Sequence, residues 1–411
     1  MTPSHPDTRT WAVDSPDVGT GLRARPCGDT LRPAQPAPAA APVAVTLSGG
    51  GFRATLAALG VLRFLSDARM MPELRYASSV SGGSIANGLL ATHWPALKQR
   101  GFTTTAVDDL VIDPTIGKIS SHSLKKALLR GLWRTAGPST RTDLLARRLD
   151  EWFFDGTQLS DLDPQVRWIL NAANLTTGTR FTFERDVFGD YTIGLAPTAG
   201  TNLKLSVAVA ASAAVPGAFP PLLLDHEAFP CGTGTPALLD GGTYDNTGSE
   251  AIDSEHYRDV FLVILNSGGL LRPGAYGGLP IVRDLARANS LLYRQSTALR
   301  TRLTVERFQR GHTVGPDEPL PPGARRGVLM ALATDFPDHG SGQLDKWRDS
   351  FPEHRTYDGR DLSLVPTVFD RLPEPLCRAL VYRGWWLTGA ALATYHPHRL
   401  PDVTSLNPPP R

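Results

Sequence analysis

Three short stretches of this 411-residue sequence combine residue types and spacings that can do chemistry. In Ser48-Gly49-Gly50-Gly51-Phe52-Arg53-Ala54, consecutive glycines let the backbone approach a ligand closely and turn its N–H groups outward, which stabilises negative charge. That charge is either a phosphate or a developing oxyanion. Ser79-Val80-Ser81-Gly82-Gly83 is close to the G-x-S-x-G turn that exposes a serine between a strand and a helix, with Ser79 standing where the pattern has glycine. Ser78, Ser79 and Ser84 compete for the same role, but only Ser81 stands at the turn with glycine directly after it. A helix N-cap is the plainer role for such a serine. A serine hydroxyl is a weak nucleophile near neutral pH and needs an adjacent base. Asp240 is the leading candidate: it closes the apolar run Ala237-Leu238-Leu239 and precedes Gly241 and Gly242, a carboxylate at a strand end before a flexible turn. Asp-Gly is also simply a common turn dipeptide.

The elements that would position these groups alternate. Val43 to Leu47 reads as a short buried strand, Phe52 to Asp67 as a helix, Arg75 to Val80 as a strand and Gly83 to Trp94 as a helix. Strand, glycine turn, helix, repeated, favours an α/β fold with a central, mainly parallel sheet flanked by helices. Further strands are expected at Val166 to Ala172, Arg180 to Phe183 and Val260 to Leu265, and helices at Thr201 to Ala214 and Leu279 to Arg300. Eight prolines in residues 1–42 suggest a flexible leader. The main domain spans 43–400, with an extended C-terminal part from about 270. Residues 401–411 read as a loose tail, and 311–325 and 334–364 as long surface loops.

Composition sets the outer limits. Apolar residues are 41% and charged residues 20%, ample for a large core. A net charge of +2 gives no reason to expect nucleic acid as a partner. Cys27, Cys231 and Cys377 are odd in number and form no C-x-x-C, so neither a disulfide framework nor a zinc site is suggested, and a reducing cytoplasm fits. No signal-peptide order and no long apolar run is present, so the protein is expected to be cytoplasmic, with peripheral membrane contact as an option. That contact would fall on Ser123 to Arg134, where Leu124, Leu128, Leu129, Leu132 and Trp133 form an apolar side and Lys125, Lys126, Arg130 and Arg134 a basic one, as in interfacial helices. An ordinary scaffold helix with a wetted basic face has the same pattern.

In order and spacing, Gly49 to Ala54, Ser81-Gly82 and Asp240-Gly241-Gly242 resemble the three signatures of patatin-like phospholipases. Asn174 to Gly178, the run from Ala211 to Pro216 leading to Phe219-Pro220-Pro221, and Tyr244-Asp245-Asn246-Thr247-Gly248 look like the same family, so the resemblance covers roughly 43–270. It implies a three-layer sandwich and a lipid acyl hydrolase of phospholipase A type working without metal or cofactor. By the same resemblance Ser81 is the nucleophile, Asp240 the base, and Gly50 and Gly51 the oxyanion hole. Gly49 and Arg53 would bind substrate or orient the loop, and a regulatory partner would remain to be identified. Two other readings stay open. Gly49, Gly51 and Ala54 also satisfy the G-x-G-x-x-A of a Rossmann-like dinucleotide module. A Ser-His-Asp hydrolase would take its base from His256, His312, His339, His354, His396 or His398.

Overall fold

The alternation of side chains along the apolar runs sorts them onto two faces of one sheet. The computed structural model describes residues 27, 28, 30–131, 140–232, 234–269, 280–316, 318–336, 342–356 and 358–410. Its strands are β1 (Val43–Leu47), β2 (Leu74–Ser79), β3 (Arg167–Asn174), β4 (Thr179–Phe183), β5 (Val187–Asp190), β6 (Gly194–Pro197), β7 (Leu222–Leu223), β8 (Ala237–Asp240), β9 (Phe261–Asn266) and β10 (Gly327–Ala331). The sheet order is β10-β9-β1-β2-β3-β4-β5-β6, with β8 also on β3 and β7 on β8. From β10 to β3 all pairings are parallel. The pairs beyond β3 are antiparallel.

The main helices are α1 (Gly51–Asp67), α2 (Gly82–Gln99), α3 (Leu124–Gly131), α4 (Leu205–Ser212), α5 (Pro280–His312) and α6 (Glu374–Tyr395). Val43, Val45 and Leu47 of β1 join the large core built with α1, α2 and α6. Ala44, with Leu262 and Ile264 of β9, turns to the opposite face, where Phe308 of α5 covers it. This period-two division makes the three layers.

The expected strands lie within one or two residues of those observed. β5, β6, β7 and β10 had no reading in the sequence, and α5 runs on to His312. The segment expected as a long loop at 334–364 contains a helix at Gly342–Ser350 that buries Leu344 and Trp347. The C-terminal third completes the core: Trp347 and Trp385 each pack edge to face with Phe64, Phe351 packs edge to face with Trp385, and the two indoles lie tilted against each other. Residues 401–410 are tied down as well, since Asn407 donates its N–H to Asp67 at 2.9 Å and accepts from Arg63 at 2.9 Å.

The described part of the leader is likewise held, because proline-rich chain that cannot donate still offers its carbonyls. Ala37 accepts from Arg75 at 2.9 Å, and the Ala41 N–H donates to Glu73 at 3.4 Å. Cys27 forms a disulfide with Cys231, which corrects the expectation of unpaired cysteines; Cys377 is free and buried.

α1 and α6 meet backbone to backbone. A Cβ at Gly384 would lie 2.0 Å from the Ala57 carbonyl oxygen, and one at Gly60 2.0 Å from that of Val381. Gly384→Ala should therefore lower unfolding free energy in urea by about 2–3 kcal/mol. Gly117→Ala, in an exposed helical position with nothing within 4 Å, should leave it unchanged or raise it by about 0.5–1 kcal/mol.

Candidate active site

β1 and β2 run side by side with Leu47 opposite Ser79, so their two following loops emerge at the same carboxyl edge. Val80 extends the ladder by one bond, its N–H reaching the Leu47 carbonyl at 3.0 Å. The chain then reverses at Ser81, whose φ of 52° and ψ of −122° lie in a region that non-glycine residues rarely occupy. The two glycines that follow are required by contact. A Cβ at Gly82 would sit 2.0 Å from the Gly51 carbonyl oxygen, and one at Gly83 2.2 Å from that of Leu47.

The competing serines are engaged elsewhere. Ser78 donates to the Gly248 carbonyl at 2.6 Å. Ser79 receives hydrogen bonds from Ser84 at 3.0 Å and from Asn87 at 2.9 Å, which gives the non-glycine at that position a buried polar net to complete. Ser81 alone of the four directs its hydroxyl to the Asp240 carboxylate.

Asp240 reaches the same edge from the antiparallel side, at the end of β8 opposite Ala172 of β3. Its Oδ1 accepts the Gly242 N–H at 2.7 Å. Burial, which disfavours the charged form, pushes the carboxyl up to about 6, against the lowering effect of the Ser81 and Gly242 hydrogen bonds. The C-terminus of α4 joins the two residues: the Ser212 carbonyl accepts from the N–H of Ser81 at 3.1 Å and of Gly241 at 3.3 Å. Ser212 Oγ accepts from the Ser81 N–H as well, at 3.0 Å.

In the glycine loop, the Gly49 N–H is taken by Asn246, at 3.1 Å to Oδ1 and 3.2 Å to its carbonyl. Gly50 (φ 148°) and Gly51 (φ 61°) adopt left-handed backbone. Their N–H groups head α1, where the first donors of a helix have no intrahelical acceptor. Arg53 is buried; its guanidinium donates to the Ser267 carbonyl at 2.9 Å, Thr367 Oγ1 at 3.0 Å and the carbonyls of Ser363 and Val365. It thus lies under the loop, bridging to the segment after β9 and to residues 363–367. Burial pulls it down to about 10.

Three residues at the site were not singled out by sequence reasoning. Ser212 and Asn246 lie inside stretches noted only as family-like. Tyr293 comes from the inner face of α5, and a Cβ at Gly242 would be 3.2 Å from its ring; burial and the Asp240 charge push its phenol up. No short motif marks a tyrosine within a 33-residue helix.

The histidines pack apart from this cluster. His312 and His396 face each other at 3.2 Å, His396 also contacts the Gly327 carbonyl, His354 stacks on Trp386, and His256 and His398 lie against Tyr257 and His396. His339 is outside the described residues. β2 ends in Ser78 and Ser79, where a dinucleotide site would place an acid to hold the ribose. Among the described residues no group of three or more His, Cys, Asp or Glu is arranged to hold a metal.

The profile of a family described as patatin-like phospholipase matches residues 45–252. Human GIVD cytosolic phospholipase A2 superposes with a TM-score of 0.52 at 13% identity, over 89% of this chain and 60% of that one. The same human enzyme in complex with methyl gamma-linolenyl fluorophosphonate and terbium chloride gives 0.49 at 15%, over 88% and 59%. VipD from Legionella pneumophila gives 0.33 at 12%, over 82% and 68%. The chain therefore spans about 60% of the human protein's length. No curated protein matches the chain.

A carboxyl raised by burial binds its proton in the folded state after the unfolded chain has released it. Stability should then fall as pH rises from about 4 to about 6 and level off above, by on the order of 2–3 kcal/mol for this one group. In urea titrations, Asp240→Asn should remove that part of the slope and be no less stable than wild type at pH 8. An unchanged slope would show that the carboxyl is not so displaced.

Proposed function

The chain belongs to the patatin-like phospholipase family, and we propose that it is a serine ester hydrolase that cleaves the carboxylic esters of phospholipids through Ser81 and Asp240. The observation that carries this reading is the Ser81 hydroxyl, strained outward at the turn and hydrogen-bonded to a buried carboxylate raised to about 6. A base with that proton affinity can take up the hydroxyl proton as the oxygen attacks, which an ordinary aspartate does poorly.

In the proposed mechanism Asp240 accepts the Ser81 proton while Oγ forms a bond to the ester carbon, and the carbonyl π electrons move to oxygen. The N–H groups of Gly50 and Gly51 hold that oxyanion, a type of donation worth about 10²–10³ in rate per donor in other hydrolases. Collapse expels the alcohol, which takes the proton from Asp240 and leaves an acyl group on Ser81. Water, deprotonated by Asp240 in turn, releases the fatty acid and restores the hydroxyl. Gly49, pinned by Asn246, and Arg53, bridging beneath, are assigned to orienting the glycine loop.

Peripheral contact with anionic membrane through 123–134 belongs to the same proposal. Leu124 is buried while Lys125 and Lys126 are exposed. Leu132, Trp133 and Arg134 lie outside the described residues, and so do the side chains of Leu128, Leu129 and Arg130. No described helix is long and apolar enough to cross a membrane. The Cys27–Cys231 bond favours a compartment that keeps disulfides oxidised over the cytoplasm expected from cysteine spacing.

Two experiments test this reading. A fluorophosphonate probe should label the wild type and not Ser81→Ala. Labelling and ester hydrolysis should rise with pH through about 6, fall at least about 10³-fold in Asp240→Asn, and survive single replacement of each of the six histidines. Persistent labelling of Ser81→Ala, or loss with one histidine, overturns the dyad. In liposome sedimentation, charge reversal at Lys125, Lys126 and Arg130 should abolish dependence on anionic lipid; unchanged binding removes the membrane assignment.

A further inference from the structure

Asn246 presents two different ends to the site. Its side chain is buried, with the residue 2% exposed. Oδ1 accepts the Gly49 N–H at 3.1 Å; because an N–H can only donate, this bond fixes which end of the amide is oxygen. The other end, Nδ2, is buried and finds no acceptor among the described residues. A buried donor without a partner is destabilising, and such groups persist in native proteins where something else completes them.

The glycines around Asn246 show where that completion would come from. A Cβ at Gly49 would lie 2.5 Å from Oδ1 and 3.1 Å from Ser81 Cβ, and one at Gly242 would lie 3.1 Å from Oδ1 and 3.0 Å from Asp240 Oδ1. The oxygen end therefore faces the Ser81–Asp240 pair. A Cβ at Gly268 would lie 3.0 Å from Asn266 Oδ1, 3.4 Å from Nδ2 and 3.9 Å from the Tyr293 hydroxyl, so the nitrogen end lies beyond the pair, beside Gly268, Tyr293 and an Asn266 oxygen that already accepts the Gly268 N–H at 2.9 Å.

A lipid ester with its carbonyl carbon at Ser81 has two arms. The acyl arm carries no acceptor, so the oxygen that meets Nδ2 belongs to the alcohol arm. Charge narrows the choice further. A Cβ at Gly50 would lie 3.0 Å from Arg53 Nη2, and one at Gly269 3.1 Å from its Nη1. Among the described residues that guanidinium bonds only to neutral oxygens. Its positive charge is left to act on the same end of the site, where an anionic oxygen is favoured.

We propose that Asn246 Nδ2 donates to an oxygen of the alcohol arm, the phosphate in a phospholipid, and so makes Asn246 a specificity-determining residue for phospholipid over neutral glyceride. The assignment rests on the serine hydrolase reading above. Asn246→Asp keeps an oxygen for the Gly49 N–H and turns the free donor into a second carboxylate oxygen, which repels phosphate.

The test compares phosphatidylcholine with a diacylglycerol of the same acyl chains, in the same neutral mixed micelles, for wild type and variant. Asn246→Asp should lower the ratio of kcat/KM for phosphatidylcholine over diacylglycerol at least about tenfold, mainly through KM, as expected for one charge-assisted contact turned repulsive. Asn246→Ser, which retains a small acceptor, should lower the same ratio less, and it supplies the measurement if the aspartate variant does not fold. Equal losses on both lipids, or no loss on either, reduce Asn246 to a pin for the glycine loop and overturn the proposal. Turnover of neither lipid by the wild type defeats the hydrolase reading itself, a result distinct from an unchanged ratio.

Discussion

The Ser212 carbonyl accepts two N–H groups, those of Ser81 and Gly241, and thereby fixes the distance between chain segments that lie 160 residues apart in sequence. Ser81 comes from the parallel half of the sheet and Asp240 from the antiparallel half. Nothing in their local structure brings them together; the end of α4 does. Ser212 Oγ adds a bond from the Ser81 N–H and itself donates to the Asn171 carbonyl at 2.7 Å. It is also 2.8 Å from Ser84 Oγ. A strained residue such as Ser81 persists only where its surroundings over-determine it, and this buried net of hydroxyls and amides supplies that determination. The hydroxyls of Ser79, Ser84 and Ser212 each have a partner within it, and a polar network whose members are paired rigidifies a core instead of weakening it.

The same region explains why two neighbouring loops are so rich in glycine. β1 and β2 end together, so the loop before α1 and the turn before α2 compete for one volume. Gly82 leaves room for the Gly51 carbonyl, Gly83 for that of Leu47, and Gly241 for that of Asn171, which a Cβ would approach to 2.3 Å. Backbone thus fills the space that side chains would otherwise occupy, and backbone N–H groups come to line the edge. Arg53 and Val368 close the loop from below: the guanidinium reaches past the end of β9, and the Val368 carbonyl accepts the Phe52 N–H at 3.2 Å. Residues 363–368, in a part of the chain without motifs, are therefore a floor for the site.

Much of this was legible in the sequence, and the reason is local. Val43–Leu47 and Phe261–Asn266 carry enough consecutive apolar residues to read as strands, and Ser81 and Asp240 sit beside glycines that mark a forced turn. The unreadable parts depend on partners far away. β5 and β6 are four residues each, too short for a period to show. Cys27 meets Cys231 across 204 residues, and cysteine spacing alone does not encode that pairing. Asp67 is an unremarkable helix-end carboxylate in sequence, yet it receives the Trp385 indole N–H at 3.0 Å and the Asn407 N–H at 2.9 Å, so it fastens both α6 and the tail. The leader and tail looked loose because prolines lack donors; they are held through carbonyls of Ala37 and Asn407, through the N–H groups of Ala41 and Asn407 and, in the leader, by the Cys27–Cys231 bond.

That no histidine among the described residues joins the Ser81–Asp240 cluster becomes intelligible through burial. Imidazole serves as a base in other serine hydrolases because its proton affinity lies near neutrality. An aspartate in water is about two to three pH units too acidic for that task. Here the carboxylate is 7% exposed, accepts one backbone N–H from Gly242 and one serine hydroxyl, and has the Tyr293 ring over the adjoining Gly242. Among the described residues no arginine or lysine pairs with it, so desolvation acts against those two hydrogen bonds. The nearest guanidinium in the loop, Arg53, is turned toward carbonyls on the far side. A cation beside Asp240 would restore the ordinary carboxylate range and remove the basicity that burial confers. The placement of Arg53 under the glycine loop, and of an uncharged tyrosine by the aspartate, fits the roles proposed for them: positive charge on the side of the glycine loop and, among the described residues, no cation paired with the carboxylate assigned to take up a proton.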